Sequence, residues 1–476
     1  MTTAFSAEIF REYDIRGIAD RDLTGAVIES LGRAFARYLG PDGPRQVTVG
    51  YDARLSSPRL RDAISRGLSA SGLAVVDLGL CPTPALYFSL YHLKPGAGVM
   101  ITGSHNPAEF NGFKLCVGKE TIYGEEIQKL RRIMEELGRE GGDRKPGEKG
   151  SITTHPILPD YRAELKERFR DVADVSLTVV VDSGNGTAGP VAPEVLRSMG
   201  CTVIELFSDP DGRFPNHHPD PTIPKNLTAL TAAMKEHRAD MGIAFDGDSD
   251  RIGVVDEQGQ ILWGDQLMVL FSRDILQTRP GATFVSEVKC SQTMYDDIRK
   301  NGGKAIMWKT GHSLIKAKMK EAGAALAGEM SGHMFFADRY FGYDDAIYAA
   351  CRAVELLQKT RKRTGRKETL SSLIADLPRT FSTPEIRFDC PDNVKFKVVD
   401  RMRSLYNGQS RLPLATREVI TVDGIRAVFE KGWGLVRASN TQPVLVMRFE
   451  ATDQASLERI RSVMEEQVKA SVQALN

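Results

Sequence analysis

The chain is organised around the stretch Gly98-Val99-Met100-Ile101-Thr102-Gly103-Ser104-His105-Asn106-Pro107. Its apolar first residues predict a β-strand, and the small, polar and turn-forming residues that follow predict a loop where that strand ends. Gly103 relaxes the steric limits on φ, and Pro107 stops the strand from continuing. In such a loop the hydroxyl of Ser104 can meet a ligand. An ordinary strand-to-loop turn is the alternative for these residues taken alone, and the loops further along the chain favour the ligand-binding interpretation.

Length and composition narrow the class of protein. A chain of 476 residues is too long for one hydrophobic core and should form roughly three or four domains. With 26% charged residues and a net charge of +1, it gives no general reason to expect nucleic acid or an anionic membrane as partner. We find no secretory signal, and no apolar run approaches the roughly 18 residues of a membrane span. The six cysteines lie far apart without a CxxC pair, which fits reduced thiols. We therefore expect a cytoplasmic, multidomain protein.

Strands and helices alternate through the first three quarters of the chain. In the first copy of this pattern, strands are predicted at 46–51, 73–78 and 98–101, and a helix is predicted over 57–71. The helix would have Ser57 as N-cap and Pro58 at its first helical position.

The same order recurs from residue 177 and again from residue 283, and it is typical of parallel α/β domains. In each copy the third strand leads into a loop rich in polar side chains, namely 102–107, 246–251 and 329–333. Ligand sites in open α/β sheets lie beyond the carboxyl ends of the strands, so three such loops can face one cleft.

The last part of the chain follows a different pattern. Strands are predicted at 419–421, 425–428 and 444–449, and a helix over 456–468, which indicates an α+β domain. A basic stretch at 359–367 resembles a nucleic-acid tag, but in a neutral protein it is predicted to be a solvated helix end and loop. The glycine-rich segment 138–150 predicts a linker. The predicted domains span 1–157, 158–259, 260–377 and 378–476.

The sharpest chemical signal is the acidic loop Asp246-Gly247-Asp248-Ser249-Asp250-Arg251. Carboxylates at alternate positions of an extended chain would point to one side, where their repulsion requires a cation. Oxygen ligands of this kind suit Mg²⁺. A solvated acidic turn is one alternative. A calcium loop of the EF-hand type is another, with Glu257 at its twelfth position. Against it, Arg251 stands where that loop needs glycine, and the flanking segments are predicted to be strands and not helices.

The third loop, Gly328-Glu329-Met330-Ser331-Gly332-His333, carries groups suited to a sugar. Glu329 and Ser331 alternate onto one face and can accept and donate hydrogen bonds to neighbouring hydroxyls, while His333 can act as a proton shuttle. A purely structural histidine is the alternative. Lys289 and His312 lie in other loops of the same predicted domain and are weaker candidates.

The segment Arg437-Ala438-Ser439-Asn440-Thr441-Gln442-Pro443 joins two predicted strands of the last domain. An arginine, two hydroxyls, an amide and several backbone N–H groups in one turn suit a phosphate dianion. A plain turn rich in serine and asparagine fits the segment equally well when it is taken alone.

Taken together, these four loops resemble those of the α-D-phosphohexomutase family, and the resemblance covers essentially the whole chain. In family order, 102–107 is similar to the phosphoserine loop, 246–251 to the magnesium loop, 329–333 to the sugar-recognition loop and 437–441 to the phosphate-binding loop. The opening segment 10–17, the segment 111–114 and Met330 are similar to the bacterial phosphomannomutase/phosphoglucomutase branch. Phosphoglucosamine mutases usually carry glutamine where Met330 stands.

The resemblance implies an α/β fold of three consecutive similar mixed α/β domains plus a C-terminal α+β domain, in a four-domain, heart-shaped arrangement around one cleft. It also implies reversible phosphoryl transfer between the 1- and 6-positions of mannose or glucose phosphates, through a phosphoserine at Ser104 and a hexose 1,6-bisphosphate intermediate. The implied metal is Mg²⁺, held by Asp246, Asp248, Asp250 and the phosphate on Ser104. The implied catalytic residues are Ser104, His105, Lys114, Arg16, Arg251 and His333. The implied substrate-binding residues are Tyr13, Lys289, His312, Glu329, Ser331, Arg437, Ser439, Asn440 and Thr441.

Other functions stay open at this point. A phosphoglucosamine mutase would share the four loops, and a metal-dependent sugar phosphatase would share the serine and the metal but release inorganic phosphate. A module that binds a sugar phosphate or calcium without catalysis is a third possibility. The expected partner is a small hexose phosphate, with no nucleic acid or membrane. The sequence decides neither between monomer and dimer nor between mannose and glucose.

Overall fold

The computed structural model describes residues 5–140, 149–172, 176–407, 414–440 and 442–475. The chain divides into two compact units: a first unit of residues 1–274 and 331–373, and a second unit of residues 275–330 and 374–476. Within the described ranges, no helix has both the length and the apolar character that a membrane crossing requires. All six cysteines are buried and unbridged.

The first sheet combines parallel and antiparallel strands. Its strands are β1 (Ile15–Ile18), β2 (Gln46–Tyr51), β3 (Ala74–Leu80), β4 (Gly96–Ile101), β5 (Phe110–Val117), β6 (Glu120–Thr121) and β7 (Ile152–Thr154). They lie in the order β1-β5-β4-β2-β3-β7, with β6 beside β5. Strands β4, β2 and β3 are parallel, as predicted, and β7, which was not predicted, is parallel to β3. Strand β5 runs antiparallel between β4 and β1. The loop that carries Ser104 therefore joins two neighbouring antiparallel strands.

The helices of this part of the chain are α1 (Gly25–Leu39), α2 (Ser57–Ala70), α3 (Thr83–His92) and α4 (Glu125–Glu140). Helices α1 and α2 cross so closely that a Cβ at Gly32 would lie 2.6 Å from the Ile64 carbonyl oxygen. The predicted cap of α2 is wrong, because Ser56 is the N-cap and Ser57 is already helical. The Ser57 hydroxyl instead donates to Asp52 at 2.6 Å, and this bond ties the helix to the end of β2.

The second sheet positions the acidic loop. Its strands are β8 (Thr178–Asp182), β9 (Thr202–Leu206), β10 (Met241–Phe245), β11 (Ile252–Asp256) and β12 (Ile261–Leu262), and its helices are α5 (Leu158–Arg168), α6 (Ala192–Ser198) and α7 (Thr228–His237). The order is β12-β11-β10-β8-β9. Strands β10, β8 and β9 are parallel, and β10 and β11 form an antiparallel pair in which Phe245 lies opposite Ile252. Residues 246–251 are consequently the connection at the carboxyl end of a buried strand.

The third α/β segment again alternates as predicted. Its elements are α8 (Gly264–Thr278), β13 (Thr283–Glu287), α9 (Gln292–Lys300), β14 (Lys304–Trp308), α10 (His312–Glu321), β15 (Leu326–Gly328), β16 (Met334–Phe336) and α11 (Ala346–Thr364). Strands β14, β13 and β15 are parallel neighbours. Helix α11 ends at Gly365, whose φ of 67° forms a left-handed C-cap. The basic stretch 359–367 is thus a helix end and loop, which confirms that prediction.

In its described residues, the last segment is an antiparallel sheet with two helices. Its elements are β17 (Phe381–Ser382), β18 (Ile386–Asp389), α12 (Asp392–Asn407), β19 (Glu418–Ile420), β20 (Ile425–Val428), β21 (Gly432–Ala438), β22 (Val444–Ala451) and α13 (Gln454–Gln473). The sheet order is β17-β22-β21-β20-β19, and β18 also pairs with β22. Asp453 caps α13 by accepting the Ser456 N–H at 2.8 Å. The predicted fold class of three α/β segments followed by an α+β segment is confirmed.

A buried carboxylate at the start of α11 predicts a specific pH dependence of stability. Asp345 accepts hydrogen bonds from the Tyr348 N–H at 2.8 Å, the Tyr161 hydroxyl at 2.8 Å and the Tyr340 hydroxyl at 2.7 Å. Burial raises the pKa of Asp345 from 3.8 to about 6, although these hydrogen bonds act in the opposite direction. The folded state therefore binds more protons than the unfolded state between those two values. The contribution of this group to stability is fully present below about pH 4 and is lost as the pH rises through about 6.

We expect Asp345→Asn to remove this contribution, which amounts to about 3 kcal/mol in the free energy of unfolding. Asparagine keeps the N-cap but cannot ionise. Denaturation followed from about pH 4 to about pH 7 should show that the variant loses less stability than the wild type over this interval. Parallel stability curves for the two proteins would contradict the assignment.

Candidate active site

Ser104 occupies a strained position between β4 and β5. Its φ of 48° lies in the left-handed region, its side chain is buried, and its N–H donates to Thr102 Oγ1 at 2.7 Å. Such a conformation costs a non-glycine residue on the order of 1–3 kcal/mol, so the surroundings must impose it. Gly103, which was expected to relax the steric limits on φ, does not itself take a positive φ. Gly103 provides space instead, because a Cβ there would lie 2.4 Å from Arg54 Cζ.

The acidic loop is a tight turn and not the extended segment that the sequence predicts. Ser249 has a φ of 62°, its N–H donates to the Asp246 carbonyl at 3.1 Å, and Asp246 Oδ1 accepts the N–H groups of Asp250 and Arg251, both at 3.1 Å. The turn still brings the three carboxylates together: one oxygen from each of Asp246, Asp248 and Asp250 lies within 4.8 Å of the others, and all three are buried. Strands β10 and β11 flank the loop, so the EF-hand alternative is wrong.

The carboxylate cluster fits a hard divalent cation. Lys114 Nζ donates to Asp248 Oδ2 at 3.0 Å and also to Asp250 Oδ2, and Thr83 Oγ1 donates to Asp248 Oδ2 at 2.6 Å. Asp248 Oδ1 is buried and has no hydrogen-bond partner among the described residues. One lysine charge does not balance three buried carboxylates, and an orphaned carboxylate oxygen is costly. The charge and the oxygen donors both match what Mg²⁺ requires.

The serine loop and the acidic loop meet directly. Ser104 Oγ donates to Asp246 Oδ2 at 2.9 Å and lies 3.0 Å from His105 Nδ1. The two backbones approach so closely that a Cβ at Gly247 would lie 2.6 Å from the Ser104 carbonyl oxygen. Any group attached to Ser104 Oγ would consequently lie beside the three carboxylates.

Burial and neighbouring charges shift the pKa values of this cluster in different directions. Burial, reinforced by the carboxylates of Asp250 and Asp248, raises the pKa of Asp246 well above its usual range. Burial alone would also raise the pKa of Asp250, but the positive charge of Lys114 and the contact with His333 outweigh it and lower that pKa. Burial alone would lower the pKa of Lys114, but the carboxylates of Asp248 and Asp250 outweigh it and raise that pKa. Lys114 and Asp250 therefore form a charged pair.

Two histidines and an arginine form a series of contacts that leads from Ser104 to Asp250. His333 Nε2 lies 3.2 Å from Asp250 Oδ1 and 3.2 Å from Arg251 Nε, and Arg251 Nη1 lies 3.5 Å from His105 Nε2. Ser331 Oγ lies 3.3 Å from His333 Nδ1. Burial, followed by the positive charge of Arg251, lowers the pKa of His105 well below its usual range, so its imidazole is neutral near pH 7.

The N-terminal candidates lie in the same unit. Arg16 is on β1, opposite Gly112 of β5, and pairs with Asp14 at 2.5 Å. Its charge also contributes to the low pKa of His105, which places it near the serine loop. Tyr13 is half-buried in the bend that precedes β1. The first unit therefore brings together all the predicted metal and catalytic residues.

The remaining candidates lie in the second unit. Lys289 Nζ is 3.3 Å from Glu385 and 3.5 Å from Glu287, Glu329 Oε1 accepts the Gly311 N–H at 2.8 Å, and His312 begins α10. Residues 330–332 form a turn, so the predicted alternation of Glu329 and Ser331 along an extended chain is wrong.

Arg437 lies at the end of β21 and is 5% exposed. Its Nε–H donates to Asp423 Oδ2 at 2.9 Å, and the same oxygen accepts the Thr310 N–H at 3.0 Å. Asp423 thus orients the guanidinium and links it to the loop before α10. The segment after Arg437 does join two strands, as predicted: Ser439 is buried, Asn440 is exposed, and Thr441 lies outside the described residues.

Sequence reasoning missed three residues that shape these sites, namely Arg54, Thr83 and Asp423. Asp423 could have been noticed as the acid of an Asp-Gly turn, since Gly424 has a φ of 79°. Arg54 and Thr83 stand in no motif.

The comparison with known protein families covers most of the chain. Residues 7–140, 159–259 and 263–381 match alpha/beta/alpha domains I, II and III of phosphoglucomutase/phosphomannomutase. Residues 385–467 match the C-terminal domain of the same proteins.

Individual relatives agree with these matches. The chain is 45% identical over 470 residues to a phosphomannomutase/phosphoglucomutase of Pseudomonas putida, covering 98% of this chain and 96% of the relative. It is 42% identical over 456 residues to a phosphoglucomutase of Neisseria meningitidis, covering 96% of this chain and 95% of the relative. A crystal structure of a phosphoglucomutase/phosphomannomutase family protein from Burkholderia thailandensis superposes with a TM-score of 0.89 at 40% identity, covering 99% of both chains. The chain therefore belongs to the phosphoglucomutase/phosphomannomutase family, within the α-D-phosphohexomutases.

Proposed function

We propose that the protein is a phosphohexomutase that moves a phosphoryl group reversibly between O1 and O6 of mannose and glucose phosphates. The observation that carries this proposal is the position of Ser104, whose buried hydroxyl lies on a strained loop 2.9 Å from Asp246 of the carboxylate cluster. The relatives from Pseudomonas putida and Neisseria meningitidis, named for phosphomannose and phosphoglucose chemistry, support this substrate class.

In the proposed cycle Ser104 carries the phosphoryl group. The bond between its Oγ and phosphorus breaks, and a bond forms between phosphorus and the free hydroxyl of a hexose 1- or 6-phosphate. That hydroxyl gives up its proton, and Ser104 Oγ takes up one proton as it leaves. The product is a hexose 1,6-bisphosphate, which returns its other phosphoryl group to Ser104. Asp246, Asp248 and Asp250, with the phosphate on Ser104, would hold Mg²⁺. Bound there, Mg²⁺ would neutralise negative charge on the transferring group.

The chain's own residues supply the proton transfers and the remaining positive charge. His105 offers an imidazole nitrogen 3.0 Å from Ser104 Oγ, which is within hydrogen-bond reach of the reacting atom. Lys114, Arg251 and Arg16 supply positive charge, and His333 lies one contact further away, beside Asp250. In phosphoryl transfer, pre-positioned positive groups that stabilise the developing charge are a main source of the rate enhancement.

The other end of the substrate needs its own binding residues. Arg437, Ser439, Asn440 and Thr441 are proposed to hold the phosphate that is not reacting, with Asp423 holding Arg437 in place. Glu329, Ser331, Lys289, His312 and Tyr13 are proposed to bind the sugar and its phosphates. In this proposal the catalytic, metal-binding and substrate-binding residues are distributed over four domains, namely 1–157, 158–259, 260–377 and 378–476.

We expect Arg437→Ala to weaken substrate binding while leaving phosphorylation of Ser104 intact. A charged hydrogen-bond set contributes on the order of 1.5–3 kcal/mol, so kcat/KM should fall roughly tenfold to a hundredfold. The bisphosphate should also escape more often, because its reorientation depends on the same contacts. Steady-state kinetics, with trapping of free hexose 1,6-bisphosphate, measures both effects. Arg459→Ala, which removes an exposed arginine of α13, is the matched control. An unchanged KM with no extra release of bisphosphate would assign Arg437 to a structural turn.

A coupled assay with the 1-phosphates of mannose, glucose and glucosamine tests the function itself. We expect conversion to the 6-phosphates with little inorganic phosphate released, and only a small difference between glucose and mannose. The reason is that Glu329 and Ser331 are proposed to contact hydroxyls away from C2, where these two sugars differ. Stoichiometric release of inorganic phosphate would identify a phosphatase. A strong preference for glucosamine 1-phosphate would overturn the proposed substrate class.

A further inference from the structure

A buried arginine lies directly behind the serine loop. Arg54 follows β2, is 1% exposed, and donates hydrogen bonds to four main-chain carbonyls of the segment 104–110. Its Nη2 donates to Ser104 O at 2.8 Å and to Asn106 O at 2.5 Å, and its Nη1 donates to Pro107 O at 2.5 Å and to Phe110 O at 2.8 Å. The Nε–H donates to Asp52 Oδ2 at 3.2 Å. A guanidinium has five N–H donors, so the loop and Asp52 use all of them.

The loop requires a group of this kind. Carbonyl groups that converge on one buried point repel one another, and each would cost free energy if it lost its donor. A planar guanidinium can bridge four carbonyls at once, whereas a lysine ammonium has three donors and no fork. The Phe214 ring lies over the guanidinium, with its centroid 5.4 Å from Arg54 Cζ.

Asp52 holds the other side of Ser104. Its Oδ2 accepts the Gly103 N–H at 3.1 Å, and its Oδ1 accepts the Arg54 N–H at 3.1 Å and the Ser57 hydroxyl at 2.6 Å. The ion pair therefore binds the N–H of Gly103 through Asp52 and the carbonyl of Ser104 through Arg54. These two contacts restrain the main chain on either side of the N–Cα bond of Ser104, whose φ is 48°.

We propose that Arg54, oriented by Asp52, is a positioning residue for the phosphoryl transfer. It does not touch the reacting atoms. It holds the backbone of Ser104 in the conformation that keeps Oγ beside Asp246, and it does so through main-chain contacts that a change of the serine side chain would leave in place. This inference rests on the proposed function and adds to it the residues that set the position of Ser104 Oγ.

The test compares Arg54→Lys with Arg352→Lys. Arg352 is an equally buried arginine of the first unit, and it contacts Asp338, Tyr348, Asp274 and Glu355, none of them in the serine loop. We expect Arg54→Lys to lower kcat, and the rate at which hexose 1,6-bisphosphate phosphorylates Ser104, by about tenfold to a hundredfold, with KM nearly unchanged. Arg352→Lys should lose a similar amount of thermal stability but keep both rates.

Hydrogen exchange of the backbone amides gives a readout that does not depend on turnover. The N–H groups of Gly103, Ser104 and Asn106 should exchange faster in Arg54→Lys than in the wild type, and they should be unchanged in Arg352→Lys. Asp52→Asn, which keeps the shape but removes the charge, should show the same pattern more weakly and serves as the second variant if Arg54→Lys does not fold.

Wild-type exchange and wild-type kcat in a folded Arg54→Lys protein would overturn the inference. Equal losses of kcat in the Arg54 and Arg352 variants would also overturn it, since the effect would then follow stability alone. The wild type could lack mutase activity while the loop amides still exchange faster in Arg54→Lys than in the wild type. That result would overturn the proposed function and support the role of Arg54 in holding the loop.

Discussion

Replacing Ser104 with alanine is expected to lower kcat/KM by at least about a thousandfold, because no other group can carry the phosphoryl between the two half-reactions. The hydroxyl is buried, lies 2.9 Å from Asp246 and sits on a loop that is held in a left-handed conformation. Intact-mass measurement and peptide mapping should find one phosphate on Ser104 of the active wild type and none on the variant.

Ser65→Ala is a suitable control for this experiment. Ser65 is a buried serine of the same unit on α2, and its hydroxyl has no partner among the described residues. Its removal should leave both the phosphate and the turnover unchanged. A phosphate found consistently on another residue of the fully active enzyme would show that the assignment of Ser104 is wrong.

Local sequence patterns predicted the position of the reactive loops but not their conformation. Apolar runs followed by polar and turn-forming residues correctly mark the ends of β4 and β10. The positive φ lies at Ser104 and not at Gly103. Arg54 fills the space where a side chain at position 103 would lie, and it binds the carbonyl of Ser104. The acidic loop folds into a turn because Asp246 accepts backbone N–H groups from residues further along the same loop.

The site residues that the sequence did not reveal contact residues that are far away in the sequence. Arg54 is fifty positions from Ser104 and Thr83 is 165 positions from Asp248, and their contacts depend on which strands become neighbours. Strand β5 was missed for a related reason. It contains Asn111, Gly112 and Lys114, which have low strand propensity, but burial between β1 and β4 outweighs that preference. Lys114 thereby reaches two carboxylates of the second sheet.

Removal of Mg²⁺ is expected to abolish turnover, and Asp248→Asn is expected to weaken Mg²⁺ binding by at least about a hundredfold. Loss of an outer-shell partner alone costs roughly ten- to a hundredfold in metal affinity, and Asp248 is proposed to be a ligand itself. Asp248 Oδ1 is buried without a partner among the described residues, while its Oδ2 accepts from both Thr83 and Lys114. An amide in this place would present either a neutral oxygen or an N–H group to the cation, and the charge of the cluster would fall by one.

Calorimetric titration with Mg²⁺ measures the affinity directly, and the rise in Tm with Mg²⁺ concentration measures it independently of turnover. The wild type should be stabilised by Mg²⁺ and Asp248→Asn should not. Asp256→Asn is the matched control, because Asp256 is a buried carboxylate at the end of β11 whose Oδ1 accepts the Gln258 and Gln260 N–H groups outside the cluster. That variant should bind Mg²⁺ like the wild type. Without a metal, three buried carboxylates would face a phosphorylated serine. Undiminished turnover after exhaustive chelation would mean that the neighbouring positive side chains, Lys114 and Arg251, neutralise the site and that the cluster binds no catalytic metal.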